Sequence, residues 1–377
     1  MIKVIHLLSD TNIGGAGTLL VNYLKNFDKS RFLIKVILPE GSLLTPRIKA
    51  LGYEVIEIDG LKDKSMDFGA IKTLKKIFEK EKPDIVHTHS SMSGKIAALL
   101  SGVKSRMYTR HCAYEPPKML KTFPGKQING FVNNTLSTKI IAVAEAAKEN
   151  LTDTGVSEEK ITVIINGVEP LAPLSPDKQS ELRGKYGISD SDFVFGIVAR
   201  LEAVKGQQYF IKAAEKMSEK YNDVKFIIAG TGALEKEYKE LAAACENIVF
   251  TGFVENISEI FSIINVNVNC SYGTETSSLA LSEGMSLSKP AIASIYGGNP
   301  YMVEDGFNGF LCEKQNVDAL FRKMEEIYLD KDKYKKMCEN AYTAYNKKFT
   351  ASKMTKTLEA IYEKEYERIT KGRKKNV

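Results

Sequence analysis

Short apolar segments alternate with amphipathic ones along most of the chain, and this alternation constrains the fold more than any other feature. Before residue 166, seven segments have the length and branched apolar side chains of strands. They are residues 3–8, 32–38, 53–58, 84–88, 105–109, 139–143 and 160–165. Segments with helical spacing, such as residues 71–81, lie between most of them. Apolar strands separated by helices predict a parallel sheet that is covered on both faces.

A proline-rich segment interrupts the alternation at residues 166–180, and three prolines within it stop both helices and strands. Strands are predicted again at residues 193–199, 224–229, 247–251, 265–270 and 290–293. The 377 residues therefore predict two α/β domains. We place them at 1–170 and 180–345, each a Rossmann-like doubly wound domain, facing a central cleft. A helix at about 350–370 is expected to pack back on the first domain.

Composition excludes several classes of protein. The net charge of +6 is too small for a nucleic-acid-binding domain and fits an anionic substrate or an anionic membrane surface. The five cysteines show no Cys-x-x-Cys spacing, which argues against a disulfide framework and against a zinc site. No run of about 18 apolar residues predicts a membrane-spanning helix. We therefore expect a cytoplasmic protein.

Two cations follow the first strand of the second domain. Arg200 and Lys205 stand five residues apart, after the strand and just before a helix. A diphosphate is bound by such charge-assisted donors together with a helix N-terminus. The pair indicates a diphosphate site, although an ordinary surface arginine and lysine would give the same pattern.

Two glutamates, Glu275 and Glu283, are separated by eight positions. On a continuous helix they would lie about 12 Å apart along the axis, too far to share a proton. They could instead bind two separated groups of one long ligand, such as a nucleotide sugar. The backbone N–H groups of residues 276–279 would then open the helix and face the phosphates. The alternative is two solvated glutamates on a helix face.

Other motifs favour structural interpretations. Asp190 and Asp192 have the spacing of a metal-binding pair, but they precede an apolar strand rather than follow one, which favours a polar turn. His87 and His89 face the same side of a strand, and two ligands do not make a zinc site. Both could line the cleft or pack in the domain, and packing is favoured; His6 is expected in the core. No metal and no cofactor are predicted.

The glycine-rich loop near the start invites a dinucleotide interpretation. Gly15 and Gly17 match the first part of the fingerprint, but Leu20 stands at the position of the third glycine. The fingerprint is therefore incomplete. A NAD-dependent oxidoreductase stays an alternative function.

The ordered set of motifs resembles glycosyltransferase family 4, whose members are retaining enzymes of the two-domain GT-B fold. The most specific match is Glu275 with Glu283, followed by Gly-Met and the segment Lys289–Ala293. The other matching segments, in order, are Ile13–Gly17, Asp84–His89, Thr109–His111, Ile165–Val168, Arg200 with Lys205–Gly206, Ala229–Gly232, Gly297–Pro300 and Glu304–Gly309.

The resemblance implies a role for each matching residue. Arg200 and Lys205 would hold the donor diphosphate, Glu283 the ribose hydroxyls, and Glu275 the transferred sugar. His111 would lie near the sugar or the acceptor, and it completes the implied catalytic set. The further donor contacts that the resemblance implies are Gly14, Gly15, Gly230, Val254, Thr276, Ser277, Ser278 and Leu279.

The implied reaction is a metal-independent, retaining transfer from a nucleotide-diphosphate sugar, with UDP as the expected nucleotide. The implied acceptor is a glycan or a lipid-linked sugar in cell-surface polysaccharide synthesis. A sugar-nucleotide-binding subunit without catalysis is the remaining alternative.

A basic segment in the first domain bears on the acceptor. Residues 104–127 interleave six lysines and arginines with aromatic and apolar side chains. This pattern indicates either a membrane-surface contact, on the inner face of the plasma membrane, or an ordinary basic amphipathic helix.

Overall fold

The computed structural model describes residues 1–11, 14–61, 66–89, 91–113 and 115–374, with side chains up to residue 371. It divides the chain into two units. Unit 1 comprises residues 1–167 and 351–377, and unit 2 comprises residues 168–350. Ile13 and Tyr114, which belong to two of the segments singled out above, lie outside the described residues.

The sheet of unit 1 consists of seven parallel strands in the order β3-β2-β1-β4-β5-β6-β7. Each strand was predicted to within two residues at either end. The strands are β1 (Ile2–Leu8), β2 (Phe32–Pro39), β3 (Glu54–Ile58), β4 (Ile85–His89), β5 (Ser105–Arg110), β6 (Lys139–Ala142) and β7 (Ile161–Val163).

Helices connect the strands of this sheet, as parallel pairing requires. Asp67 shows how one of them begins, because its side chain accepts a hydrogen bond from the N–H of Ala70 and so starts the helix three residues before the predicted point. The helices of unit 1 are α1 (Gly15–Asn26), α2 (Thr45–Ala50), α3 (Phe68–Glu81), α4 (Met92–Leu100), α5 (Lys118–Lys121), α6 (Gly125–Leu136), α7 (Glu145–Asp153) and α16 (Ala351–Lys374).

The C-terminal helix α16 contributes to the core of unit 1. Leu358 and Tyr362 are fully buried there, in one apolar cluster with Tyr23 and Phe27 of α1 and its C-terminal end. The ring of Tyr362 stacks on Phe27. Burial of large aromatic rings is the main stabilising contribution of such a contact.

The sheet of unit 2 has six parallel strands in the order β10-β9-β8-β11-β12-β13. The sequence analysis missed the last strand, because four residues beginning with glycine give too short a pattern. The strands are β8 (Phe193–Val198), β9 (Val224–Ala229), β10 (Ile248–Gly252), β11 (Val266–Asn269), β12 (Ala291–Ser294) and β13 (Gly309–Cys312).

The proline-rich segment after Gly167 is held by unit 2. The N–H groups of Leu171 and Leu174 donate to the hydroxyls of Ser286 and Ser262. The helices of unit 2 are α8 (Pro176–Lys185), α9 (Gln207–Ser218), α10 (Glu235–Leu241), α11 (Ser258–Ile263), α12 (Leu279–Ser286), α13 (Asn299–Met302), α14 (Val317–Leu329) and α15 (Lys331–Lys348).

No helix among the described residues combines the length and the apolar composition needed to cross a bilayer.

Candidate active site

Lys205 is positioned by the chain that leaves β8. This chain forms a short 3-10 turn over Ala203–Lys205, and α9 follows from Gln207. Gly206 between them has φ +77°, and a Cβ there would lie 2.2 Å from the carbonyl oxygen of Cys270. Only glycine fits this position, and it brings Lys205 against the chain that leaves β11.

The ammonium group of Lys205 lies 3.1 Å from Oε2 of Glu275, and both side chains are largely buried, with 15% and 9% exposed. The same oxygen accepts hydrogen bonds from Oγ of Ser271 at 2.8 Å and from Nδ2 of Asn269 at 3.3 Å. Three donors on one carboxylate oxygen hold the side chain in place. We call these four residues the Lys205 cluster.

Two glycines allow the segment 275–278 to lie where it does. A Cβ on Gly298 would lie 1.3 Å from the carbonyl oxygen of Thr276, and one on Gly297 would lie 2.0 Å from that of Glu275. Gly297 also has φ +56°. The Gly-Gly pair is therefore required by close backbone packing.

Helix α12 begins later than the sequence suggested. Its N-cap is Ser278, whose hydroxyl accepts from the N–H of Leu281 at 3.4 Å and from Nδ2 of Asn269 at 3.2 Å. Glu275, Thr276 and Ser277 precede the helix and are buried. The spacing of a continuous helix between Glu275 and Glu283 is therefore wrong, because a non-helical segment with bends at Thr276 and Ser277 separates Glu275 from the helix.

Glu283 lies on α12 and differs from Glu275 in its surroundings. Its carboxylate has no hydrogen-bond or ion-pair partner among the residues that the structure describes. Burial raises the pKa of Glu283 to about 7. A half-buried carboxylate without a partner can accept hydrogen bonds from a ligand.

Arg200 does not join the Lys205 cluster. Its guanidinium is 72% exposed and pairs with Glu202 at 2.7 Å. Its backbone carbonyl accepts from Nε2 of Gln207, which fixes the chain between β8 and α9. The two cations that the sequence paired are thus held in different ways, one in solvent and one in a buried cluster.

Strand β11 and the residue before it have three asparagines at alternate positions, and sequence reasoning did not explain them. Their amides all bond to neighbouring groups of unit 2. Asn265 accepts from the N–H of Val194, Asn267 donates to the carbonyl of Ala280, and Asn269 donates to Glu275 and Ser278. Alternate residues of a strand share a face, so this period-two pattern was the available signal for Asn269.

The remaining donor-site glycines have different surroundings. Gly230 follows β9 with φ +135°, and a Cβ there would meet the carbonyl of Ala199 at 2.1 Å. In unit 1, Gly14 is the N-cap of α1 and Gly15 its first residue, where a Cβ would meet no atom within 4 Å. Val254 is partly buried after β10.

His111 follows β5 in unit 1 and is partly exposed. Its Nε2 lies 2.9 Å from Nδ1 of His89, and Nε2 of His89 lies 3.0 Å from Nδ1 of His6. Burial, and secondarily the charge of Arg110, lowers the pKa of His111 to about 4. The ring is therefore neutral at pH 7.

A potential metal-binding group was not foreseen. The sequence offered His87 and His89 as a pair, and the structure adds His6, with ligand nitrogens of all three within 4.8 Å of one another. Each ring nitrogen of His6, His87 and His89 already has a hydrogen-bond partner. The group is complete without an ion.

The pair Asp190 and Asp192 lies in a turn before β8, where Asp192 accepts from the N–H of Ser189.

Comparison with known proteins identifies the family. The model described as Glycosyltransferase Family 4 matches residues 13–170, and the model described as Glycosyl transferases group 1 matches residues 178–344. The UDP-Gal:alpha-D-GlcNAc-diphosphoundecaprenol alpha-1,3-galactosyltransferase of Escherichia coli is 32% identical over 280 residues, which are 70% of this chain and 71% of that protein. The chain belongs to glycosyltransferase family 4.

Two further similarities extend over nearly the whole glycosyltransferase. The capsular polysaccharide biosynthesis glycosyltransferase CapM of Staphylococcus aureus is 24% identical over 96% of each chain. The solved structure of Anabaena Alr3699/HepE in complex with UDP and glucose has a TM-score of 0.82, 21% identity, and covers 97% of this chain and 100% of that one. The predicted GT-B fold and the predicted enzyme class are confirmed, and an oxidoreductase is set aside.

Proposed function

We propose that this glycosyltransferase moves a hexose from UDP-sugar to a glycan or lipid-linked acceptor, with retention at the anomeric carbon and without a metal ion. The observation that carries the proposal is the Lys205 cluster, in which a buried cation and a buried carboxylate lie beside the segment 275–278. The UDP in the Anabaena structure and the donor named for the Escherichia coli relative support the choice of nucleotide. The name of the Staphylococcus aureus relative supports a role in polysaccharide synthesis, and the acceptor in the name of the Escherichia coli relative supports a lipid-linked acceptor.

The positively charged side chains of the site are assigned to the negatively charged diphosphate of the donor. Lys205 and Arg200 bind the diphosphate and stabilise the negative charge that grows on it as the anomeric C–O bond breaks. This is the electrostatic contribution that a metal ion makes in other enzymes. The backbone N–H groups of residues 276–279 add donors to the phosphates, and Gly230 lets a ligand approach the backbone. Residues 252–254, which include Val254, would position the base of the nucleotide.

Glu283, Glu275 and His111 are the proposed contacts to the ribose and to the transferred sugar. Glu283 accepts from the ribose hydroxyls, and its unpartnered carboxylate supports that role. Glu275 contacts the transferred sugar, held by Ser271 and Asn269 in the orientation described above. His111 contacts the sugar or the acceptor. Gly14 and Gly15 let a ligand approach the backbone at the start of α1, where a Cβ on Gly15 would meet no atom within 4 Å. Unit 1 would thus serve the acceptor, and unit 2 the donor.

Calorimetric titration with UDP, GDP, ADP and NAD tests the donor assignment. We expect UDP to bind at least tenfold more tightly than the others, and the variant Glu283→Gln to weaken UDP binding about tenfold, since a hydrogen bond to a charged group contributes about 1.5–3 kcal/mol. Glu240→Gln, on the exposed face of α10, is the matched control. Equal binding of all nucleotides, or no effect of Glu283→Gln, would contradict the assignment.

Transfer itself is tested with radiolabelled UDP-hexoses and the purified full-length protein. We expect slow hydrolysis of one UDP-hexose in the absence of acceptor, with the α-anomer released first. A protein that binds UDP but turns over none of these donors would be the non-catalytic subunit instead.

A surface of unit 1 supports a lipid-linked acceptor. Four large apolar side chains of α5, α6 and the turn between them are exposed, with Phe123 at 81% and Phe131 at 73%. The others are Met119 and Ile128. Lysines at 118, 121 and 126 accompany them. Apolar side chains next to lysines bind the interface of an anionic bilayer.

A polar recess lies beside this surface. Arg110, Asn129, Asn133 and Asn150 line it together with Leu120 of α5. A sugar or phosphate group of an acceptor could hydrogen-bond there while its lipid stays in the membrane. We therefore propose a peripheral location on the inner face of the plasma membrane.

Sedimentation with vesicles of phosphatidylglycerol and phosphatidylcholine tests the membrane contact. Each exposed aromatic ring contributes up to a few kcal/mol of transfer free energy, so the double variant Phe123→Ser, Phe131→Ser should reduce binding at least tenfold. Leu329→Ser, which changes an exposed apolar residue of unit 2, is the control. Equal binding to neutral and anionic vesicles, or full binding by the double variant, would exclude this surface.

A further inference from the structure

A continuous line of hydrogen bonds runs from the core of unit 1 to His111. We call it the histidine chain, and its members in order are Thr109, His87, Tyr362, His6, His89 and His111. The strand registers explain why it forms. His6 pairs with His87 on neighbouring parallel strands, and His89 pairs with Thr109. Alternate residues of a strand share a face, so all these side chains lie on the side where α16 supplies Tyr362.

Each link of the histidine chain is a short contact between one atom pair. Oγ1 of Thr109 lies 2.6 Å from Nε2 of His87, whose Nδ1 lies 2.6 Å from the hydroxyl of Tyr362. That hydroxyl lies 3.1 Å from Nε2 of His6. From there the chain passes through His89 to His111, as described above. All its members except His111 are fully buried.

The four imidazoles of the chain are neutral. Burial lowers the pKa of His6 to about 3 and of His111 to about 4, and it holds the pKa values of His87 and His89 well below the ordinary value. A neutral imidazole donates from one nitrogen and accepts at the other. A neutral ring that accepts a hydrogen bond at one nitrogen must therefore donate one from the other nitrogen, so all the hydrogen bonds along a row of such rings point the same way.

This rule leaves two arrangements for the whole chain. Either every hydrogen bond points from His111 toward Thr109, or every one points from Thr109 toward His111. The hydroxyl of Tyr362 keeps the same direction, because if it accepted from both rings its own buried proton would have no acceptor. The proton of His111 is on Nε2 in the first arrangement and on Nδ1 in the second.

Thr109 distinguishes the two arrangements. Among the residues that the structure describes, His87 is the only hydrogen-bond partner of its hydroxyl. If the chain pointed toward Thr109, this buried hydroxyl would accept and its own proton would have no acceptor, which is costly in a buried site. If Thr109 donates, each of the five links has one donor and one acceptor, and neither buried hydroxyl is left with an unpaired proton.

We propose that Thr109 sets the direction of the histidine chain and so holds His111 as the tautomer that is protonated on Nδ1. Thr109 and Tyr362 are then positioning residues, since they act on the site through other side chains. His111 then carries its proton on Nδ1 and cannot accept a proton there. Any effect of this tautomer on sugar transfer rests on the proposed function of His111. The assignment of the tautomer itself does not depend on that function.

Nitrogen-15 NMR of the histidine rings measures the tautomer directly, because protonated and unprotonated ring nitrogens differ in chemical shift and in coupling to hydrogen. In the full-length protein at pH 7 we expect at least a tenfold excess of the Nδ1–H tautomer of His111. The variant Thr109→Val removes the terminal donor while keeping the shape, and the excess should fall toward an equal mixture. Tyr362→Phe, which divides the chain, should do the same.

Two matched variants separate this effect from general disturbance. Thr109→Ser keeps the hydroxyl and should keep the Nδ1–H tautomer. Thr88→Val removes a buried hydroxyl that bonds to the carbonyl of Met107, outside the chain, and should leave His111 unchanged. If Thr88→Val altered the tautomer as much as Thr109→Val, the proposal would be overturned.

Three further outcomes bear on the proposal. A dominant Nε2–H tautomer in the wild-type protein would overturn it, and so would metal-bound shifts at His6 and His87. If the tautomer changes in Thr109→Val while kcat falls and KM is kept, the chain serves the transfer step. If His111→Ala is fully active while the tautomer behaves as expected, the proposed role of His111 fails and the direction of the chain stands.

Discussion

The two units bury polar side chains in opposite ways. Unit 1 buries neutral rings, each both donor and acceptor, in a chain where one hydroxyl decides where the protons lie. Unit 2 buries a charge pair, Lys205 with Glu275, whose carboxylate oxygen is fixed by Ser271 and Asn269. The histidine chain sets which ring nitrogens carry protons, whereas the Lys205 cluster fixes where one positive and one negative charge lie. A substitution in the histidine chain should therefore move protons, whereas a substitution in the Lys205 cluster should leave a buried charge without its partner.

The largest expected effect is the loss of Lys205. The variant Lys205→Ala should reduce kcat/KM roughly 10²–10³-fold, the scale of losing one preorganised donor to a developing charge. It should also lower the Tm, because Glu275 is left as a buried charge without its cation. Steady-state kinetics and calorimetry measure the two effects.

Arg200→Ala sharpens the comparison within unit 2. We expect a similar loss of kcat/KM but an unchanged Tm, because the exposed ion pair with Glu202 contributes little to stability. Lys236→Ala, at an exposed pair on α10, is the control for both variants. Turnover of either variant within tenfold of wild type would refute its role at the diphosphate.

A smaller effect is expected from the glycine pair. In Gly298→Ala the new methyl group would overlap the carbonyl oxygen of Thr276, so the segment 275–278 must move. We expect UDP affinity to fall about tenfold, while Gly184→Ala in α8, where a Cβ meets no atom within 4 Å, should have no effect. Unchanged affinity in Gly298→Ala would mean that this segment does not contact the donor.

Glu283 predicts a pH dependence of comparable or smaller size. Its pKa is about 7 in the free protein, raised by burial, and ribose hydroxyls donate more strongly to the ionised form. If the neutral form binds UDP about tenfold more weakly, as expected for Glu283→Gln, UDP affinity should rise about fivefold between pH 6 and pH 8 and level off above, because the ionised fraction rises from about one tenth to nine tenths. In Glu283→Gln the rise should disappear; a profile that is flat in the wild type would contradict the role of Glu283.

The smallest expected effect is that of chelation. Because Lys205 and Arg200 supply the positive charge in the proposed mechanism, EDTA should change the rate by less than twofold. Restoration of a large lost activity by Mg²⁺ or Mn²⁺ would show that the reaction needs a metal after all.

The sequence predicted the secondary structure of the sheets well, and the reason is local. Apolar residues on both faces of a strand, separated by helical segments, indicate a buried parallel strand at short range. The miss at Gly309–Cys312 occurred because four residues carry too little of that pattern. The family motifs likewise named Lys205, Glu275 and Glu283 as site residues, and their roles stay predictions.

By itself, the sequence determined the alternation of strands and helices, the family, and the residue types available for chemistry. The tertiary structure alone decided which groups meet. Tyr362 reaches His87 across 275 positions of the chain, and Lys205 meets Glu275 across 70. Hydrogen bonds and pKa values depend on distances of a few ångström and on burial, which strand pairing and helix packing set. No local pattern contains these distances, so the direction of the histidine chain and the partner of each cation had to come from the fold.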